Sequence, residues 1–204
     1  MIPGHAQILT CPHCGTKKEV LSLVSGNTFR QVVWSDNKSI APMLPKVSFV
    51  QKCPHCGKYY LLSRQKPEHG NTYSFEKGEL NYKEIKEAWT MLKDTEDLTE
   101  NERLSILIMQ VWAFNDEYTR DKEGAAPKEE QDYIKDIIDM LIKLDRVDDL
   151  LKAELLRETG RFSDALDLLD NYMAENDFLE GLKNKFKEYA LDSETRPFII
   201  NADE

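Results

Sequence analysis

The chain has 204 residues, 41% of them hydrophobic and 31% charged, enough apolar material for one large or two small cores and too much for wholesale disorder. Its formal net charge is -10, which repels nucleic acid at long range. The start, MIPGHAQILT, has no basic segment leading into an apolar run, and no stretch of about 18 apolar residues follows anywhere, so we expect a cytoplasmic protein that does not enter membranes.

The charge is unevenly spread. Residues 1–70 carry nine basic and three acidic side chains, residues 71–204 eighteen and thirty-four. A basic head therefore precedes an acidic body. Four thiolates on one divalent cation would bring the head from +6 to about +4.

In chain order, the first part is built of short β-type segments bounded by turns. These are HAQIL, NTFRQVVW, KVSFVQK and KYYLL, rich in β-branched and aromatic residues. QKPEHGNTYSFEKGEL is polar, holds Pro67, Gly70 and Gly78, and lacks an apolar period; it is expected to be a linker. Beyond it the period becomes helical, first with Tyr82, Ile85, Trp89 and Leu92. Thr99 and Glu102 form a predicted capping box for a helix running to about Tyr118. A third helix carries Tyr133, Ile134, Ile137, Ile138, Leu141 and Leu144, and a fourth Val147, Leu150, Leu151 and Leu155. Gly160 ends the fourth, Ser163 is expected to cap a fifth with Leu166, Leu169 and Met173, and a sixth spans about Asp177 to Tyr189. Trp89, Trp112 and Phe114 lie in apolar stripes and are expected in the core, and the carboxylates of residues 129–149 on a solvated face.

The tetrapeptide CPHC occurs twice, at Cys11–Cys14 and Cys53–Cys56, each followed by glycine. A C-x-x-C turn folds back so that two sulfurs reach one metal, and Gly15 and Gly57 permit the positive φ that aims amides at those sulfurs. Each pair lies between strand-like segments, as two hairpins gripping one ion require. CPHCG and CPHCGKYY closely resemble the zinc-ribbon family; the 38 residues between Cys14 and Cys53 exceed the usual separation and suggest an inserted hairpin. We expect one structural Zn²⁺ on Cys11, Cys14, Cys53 and Cys56, a closed site with no position for substrate. His13 and His55, squeezed between ligands, are expected to stay off the metal, with His5 and His69 as reserve ligands. The rival chemistry is thiol–disulfide exchange, which needs a thiolate at a helix N-terminus; here glycine and then strand formers occupy that place.

AELLRETGRFSDALDLLDNY resembles the helix-turn-helix unit of tetratricopeptide repeats: Ala153 and Ala165 are small where helices cross, Gly160 turns the chain and Phe162 packs on the hairpin. The combination of paired knuckles with the run L-x-R-x-x-G-x-[FY]-x-x-A-L, here Leu155 to Leu166, resembles a group of uncharacterised bacterial proteins with an N-terminal zinc ribbon and a C-terminal repeat-like helical region. That resemblance implies no reaction.

The expected fold is α+β: a small β zinc ribbon with an inserted hairpin (1–66), a linker (67–80), an all-α antiparallel, tetratricopeptide-like domain (81–192) and an unassigned tail (193–204). No phosphate loop, nucleophile elbow or histidine–carboxylate constellation is present in the sequence. The first expectation is a non-enzymatic adaptor whose partner is another protein, with Trp34, Met43, Tyr59 and Tyr60 as candidate contacts. The alternative is nucleic-acid binding by the basic ribbon through Lys17, Lys18, Arg30, Lys46, Lys52, Lys58 and Arg64, with Tyr59 and Tyr60 as stacking groups. Against it stands a simpler use of those cations, docking on the protein's own acidic helices. A thiol–disulfide oxidoreductase is the third reading.

Overall fold

A computed structural model gives the fold and describes residues 1–95, 97–120, 122 and 124–202. In chain order it contains β1 (Ile2–Pro3), β2 (Gln7–Thr10), β3 (Lys17–Val20), β4 (Leu23–Ser25), β5 (Val32–Trp34), β6 (Ser39–Ile40), β7 (Val50–Lys52), β8 (Tyr59–Leu61) and β9 (Glu68–His69). Then come α1 (Tyr82–Leu92), α2 (Glu100–Phe114), a single π-helical turn (Asn115–Thr119), α3 (Lys128–Leu141), α4 (Asp149–Glu158), α5 (Phe162–Asn171), α6 (Asp177–Leu191) and β10 (Ile199–Ala202). Among the described residues no helix is long and apolar enough to cross a membrane.

The chain divides into two compact units, Met1–Gln31 with Ile40–Met109, and Val32–Ser39 with Gln110–Ala202. In the first, β2 lies between β3 and β9, all antiparallel, while β7 pairs with β8 and β1 with β4. The register Thr10↔Lys17 closes β2–β3 over the first knuckle, and Lys52↔Tyr59 closes β7–β8 over the second. Leu9, Val20 and Tyr60 are buried with Cys11 and Cys53 in one small cluster. The segment 67–80 carries β9 and runs along these strands: the Ala6 amide donates to Thr72 O, Leu21 to Glu76 O and Ser48 to Lys77 O. Its lack of apolar period is natural, since backbone bonds rather than a hydrophobic stripe place it. Asn81 and Glu84 form a capping box at the start of α1, and Thr99 and Glu102 form the expected one at α2.

In the second unit α4, α5 and α6 pack around Leu150, Ala153, Leu156, Ala165, Leu169, Phe186 and Phe198. Ala153 and Ala165 are fully buried, as close helix crossing demands. Ile134, Ile137, Ile138 and Leu141 form the buried face of α3. Asp148 and Asn176 cap α4 and α6 by accepting from the Leu151 and Leu179 amides. Ser163 does not cap α5, a correction to the sequence reading. Gly160, at φ 76°, and the Arg161 N–H donating to Leu156 O make the reversal so tight that α5 has begun by Phe162, with Arg161 at the cap position.

The tail, unassigned from sequence, forms β10 and pairs antiparallel with β5, whose other neighbour is β6. Phe198 enters the helical core, edge-on to Phe186 and against Tyr189. Leu169→Ala, at a site about 1% exposed, should cost about 2–5 kcal/mol in denaturant unfolding of the helical unit; a loss below about 1 kcal/mol would mean that α5 is not packed as described.

Candidate metal centre

Each cysteine pair sits in the loop of a hairpin. Cys11 leaves β2 and Cys14 precedes β3; Cys53 leaves β7 and Cys56 precedes β8. The two loops are built alike: the Cys11 amide donates to Thr16 O at 2.9 Å and Gly15 to Cys11 O at 2.9 Å, while Cys53 donates to Lys58 O at 2.9 Å and Gly57 to Cys53 O at 3.0 Å. Gly15 and Gly57 have φ of 73° and 70°. A Cβ at either would meet nothing within 4 Å, so backbone strain, not crowding, calls for glycine.

The four sulfurs lie within 4.8 Å of one another and can hold a metal ion. Cys11 Sγ is 3.7 Å from Cys56 Sγ, and Cys14 Sγ 3.6 Å from Cys53 Sγ. Zinc–thiolate bonds of about 2.3 Å in a tetrahedron place sulfurs about 3.8 Å apart. The donor set therefore fits such an ion in both chemistry and spacing.

Cys11 and Cys53 are buried, Cys56 half-buried and Cys14 exposed. Free of metal, the thiols are unequal. The hydroxyl and then the amide of Thr16 bring Cys14 down to about 5. The Lys58 amide favours the Cys56 thiolate, but burial and the hydrogen bonds to Cys53, Cys14 and Cys11 outweigh it and push that thiol up to about 11. Burial, followed by the negative charge of the four sulfurs, raises the Tyr60 phenol to about 12. A cation would be favoured wherever so many thiolates converge. His13 Nε2 donates to the Tyr59 carbonyl at 3.2 Å, and His5 stacks on Tyr73, 5.2 Å between ring centres. Neither joins the sulfur group.

Several of the cations read as candidate phosphate contacts face carboxylates. Lys17 pairs with Glu68, Lys18 with Glu76, Lys52 with Glu84, and Arg64 with both Asp97 and Glu102. Lys52 and Arg64 thus meet acidic residues at the α1 and α2 ends of the same unit. Arg30 lies over the Phe29 ring; for Lys46 and Lys58 no ion pair is seen among the described residues. Of the candidate partner contacts, Met43 is exposed, whereas Tyr59 and Tyr60 are buried in β8 and Trp34 lies beneath the Arg120 guanidinium. Aromatic residues in three-residue strands look alike in sequence whether they face solvent or a helix; here Tyr59 reaches Glu87 of α1 at 2.9 Å.

The sequence reading missed a second polar assembly, formed in the helical unit by Asp36, Asn115, Arg120, Glu154, Arg157 and Glu158. Its faint signals are an asparagine ending the stripe VWAF and the arginine in the run Leu155–Leu166. No protein-family model, curated protein or solved structure matches the chain.

Arg64 holds the Glu102 carboxyl down to about 2; burial opposes this, and the Thr99 amide with the Ser63 and Thr99 hydroxyls assists. A folded value below the ordinary 4.5 means stabilisation that is complete above that pH and lost as pH falls toward 2. Arg64→Met should flatten this acid limb and cost on the order of 1–3 kcal/mol at neutral pH, the pair being partly screened. Urea titrations across that pH range check it; an unchanged acid limb would remove the pair from the account.

Proposed function

We propose that the protein is a non-enzymatic interaction module in which one structural Zn²⁺, held by Cys11, Cys14, Cys53 and Cys56, organises a small ribbon, while a tetratricopeptide-like helical body serves as scaffold for a protein partner. The observation that carries this reading is the convergence of four sulfurs, all within 4.8 Å, from two hairpin loops of the same construction. A tetrahedral all-sulfur set suits zinc or iron, and the zinc-ribbon resemblance of the two glycine-closed knuckles favours a single zinc. Four protein ligands fill the coordination of such an ion, which supports a structural rather than a catalytic role.

The charge pattern supports a protein partner over nucleic acid, because Lys17, Lys18, Lys52 and Arg64 already face carboxylates of the same chain. Thiol–disulfide exchange draws on the exposed, low-pKa Cys14. That cysteine opens into a strand, however, without the helix N-terminus that stabilises catalytic thiolates.

Native mass spectrometry of protein purified without added metal tests the reading. One zinc per chain, removed by a strong chelator together with protection of the ribbon amides, is the expected result. Cys53→Ser should give the same loss without chelator. A metal-free chain lighter by two or four hydrogens would replace the structural ion with disulfides, and salt-sensitive oligonucleotide binding would move the partner to nucleic acid.

A further inference from the structure

The helical unit buries two carboxylates, Asp36 and Glu154, and half-buries a third, Glu158, beside two buried guanidinium groups, Arg120 and Arg157. Asp36 and Glu154 are fully buried and Arg157 and Arg120 nearly so. Glu158 keeps part of its surface, yet its Oε1 is enclosed and finds no hydrogen-bond partner among the described residues. Glu154 takes the Arg157 fork, at 2.8 Å from Nε and 2.6 Å from Nη2. The remaining reach of Arg157 goes to the main-chain oxygens of Glu194 and Arg196. Arg120 serves Asp36 and Asp116 while lying over the Trp34 ring. Arg157 is therefore committed before Glu158 is reached, and Arg120 is held at Asp36 and Asp116, its buried Nε finding no hydrogen-bond partner among the described residues.

What Glu158 does meet is an amide shared with another acid. Asn115, the first residue of the π-helical turn, donates from Nδ2 to Asp36 Oδ2 at 2.9 Å and to Glu158 Oε2 at 3.0 Å. The Thr119 hydroxyl donates to Asn115 Oδ1 at 2.9 Å, which fixes the amide's orientation. Asp36 is at the same time the anchor of the segment from β5 to β6. Its Oδ1 accepts from the Lys38 amide, its main-chain oxygen accepts from Trp112 Nε1 at 2.9 Å, and Ser35 beside it exchanges two hydrogen bonds with Phe198.

We propose that Glu158 is a proton-linked latch for the segment Val32–Ser39: in its acid form it lets Asp36 stay docked across Asn115, and on ionisation it loosens that segment from the helices. The groups that face it are Asp36 and Asn115 from the segment and the π-helical turn, and Glu154 and Arg157 from α4. Arg120, Lys38 and Asp116 bear on it through Asp36 and one another. Burial, then the charges of Glu154 and Asp36, raise its carboxyl well above 4.5, against the opposing pull of Asn115 and Arg157. The sign follows: a raised folded value means that docking is strongest at low pH and weakens as pH climbs from 4.5 through that value.

Hydrogen exchange of the full-length protein, followed by mass spectrometry, tests the latch. After correction for intrinsic chemistry, protection of the Trp34–Lys38 amides should fall about tenfold per pH unit over that window in the wild type. Glu158→Gln should flatten the dependence and keep the segment protected at high pH, with the α5 amides unaffected. A slope that persists in Glu158→Gln, or flat protection in the wild type, would overturn the proposal. Should the variant fail to fold, carboxyl ¹³C titration of the wild type decides: a Glu158 signal titrating with ordinary carboxylates below about pH 5 refutes the latch, and one titrating well above them upholds it.

Discussion

Four sulfur atoms brought within 4.8 Å must share protons, pair as disulfides or share a cation, and the first unit is arranged around that choice. Its cluster of Leu9, Cys11, Val20, Cys53 and Tyr60 is small enough that two of the four converging cysteines make up much of it. Strands of two to four residues cannot hold such a core by ladder hydrogen bonds alone. A metal would supply what apolar burial lacks, since the free energy of binding becomes free energy of folding when the unfolded chain has no preformed site. Ion pairs across the same unit, from Lys52 to α1 and Arg64 to the start of α2, complete its cohesion.

Features with local causes were legible in the sequence. The knuckles announce themselves because the glycine after each pair answers a backbone requirement, φ of 73° and 70°, that few residues meet. Helical stripes, the Thr99–Glu102 box and the small residues Ala153 and Ala165 are likewise set by neighbours three or four positions away. What escaped is set at long range. Residues 32–39 belong with the helices because Trp34, Ser35 and Asp36 find partners among residues 112–120 and at Phe198, and nothing local in VVWSDNKS distinguishes that from an exposed turn. Lys17 and Arg64 likewise look available until Glu68 and Glu102 are placed beside them.

The helical unit has a different economy. Its core cluster of Leu150, Ala153, Leu156, Ala165, Leu169, Phe186 and Phe198 contains no cysteine. What it adds is a buried charge assembly, and such assemblies contribute little net stability because desolvation offsets attraction. Their use lies in definition. Asp36 fits only where Arg120, Asn115 and Trp112 converge, so β5 cannot slide along β10 by one residue without stranding a carboxylate in the interior. The π-helical turn serves the same end by re-aiming Asn115 inward at the end of α2.

The run resembling a tetratricopeptide unit acquires a physical content from this. Arg157 sits where a helix surface would be expected to show an ordinary basic residue, yet it is buried, paired with Glu154 on its own helix and aimed at the carbonyls of Glu194 and Arg196. Those carbonyls lie just past α6, where a departing chain needs acceptors satisfied before it can be buried. The guanidinium thus directs the tail into the core, Phe198 following into the cluster and β10 onto β5. One turn beyond Glu154 on α4, Glu158 accepts from the Asn115 amide that also holds Asp36 of the segment β10 has received. The helix α4 therefore carries both fastenings, a permanent ion pair for the tail and a titratable acid for the inserted strand, within four residues of each other.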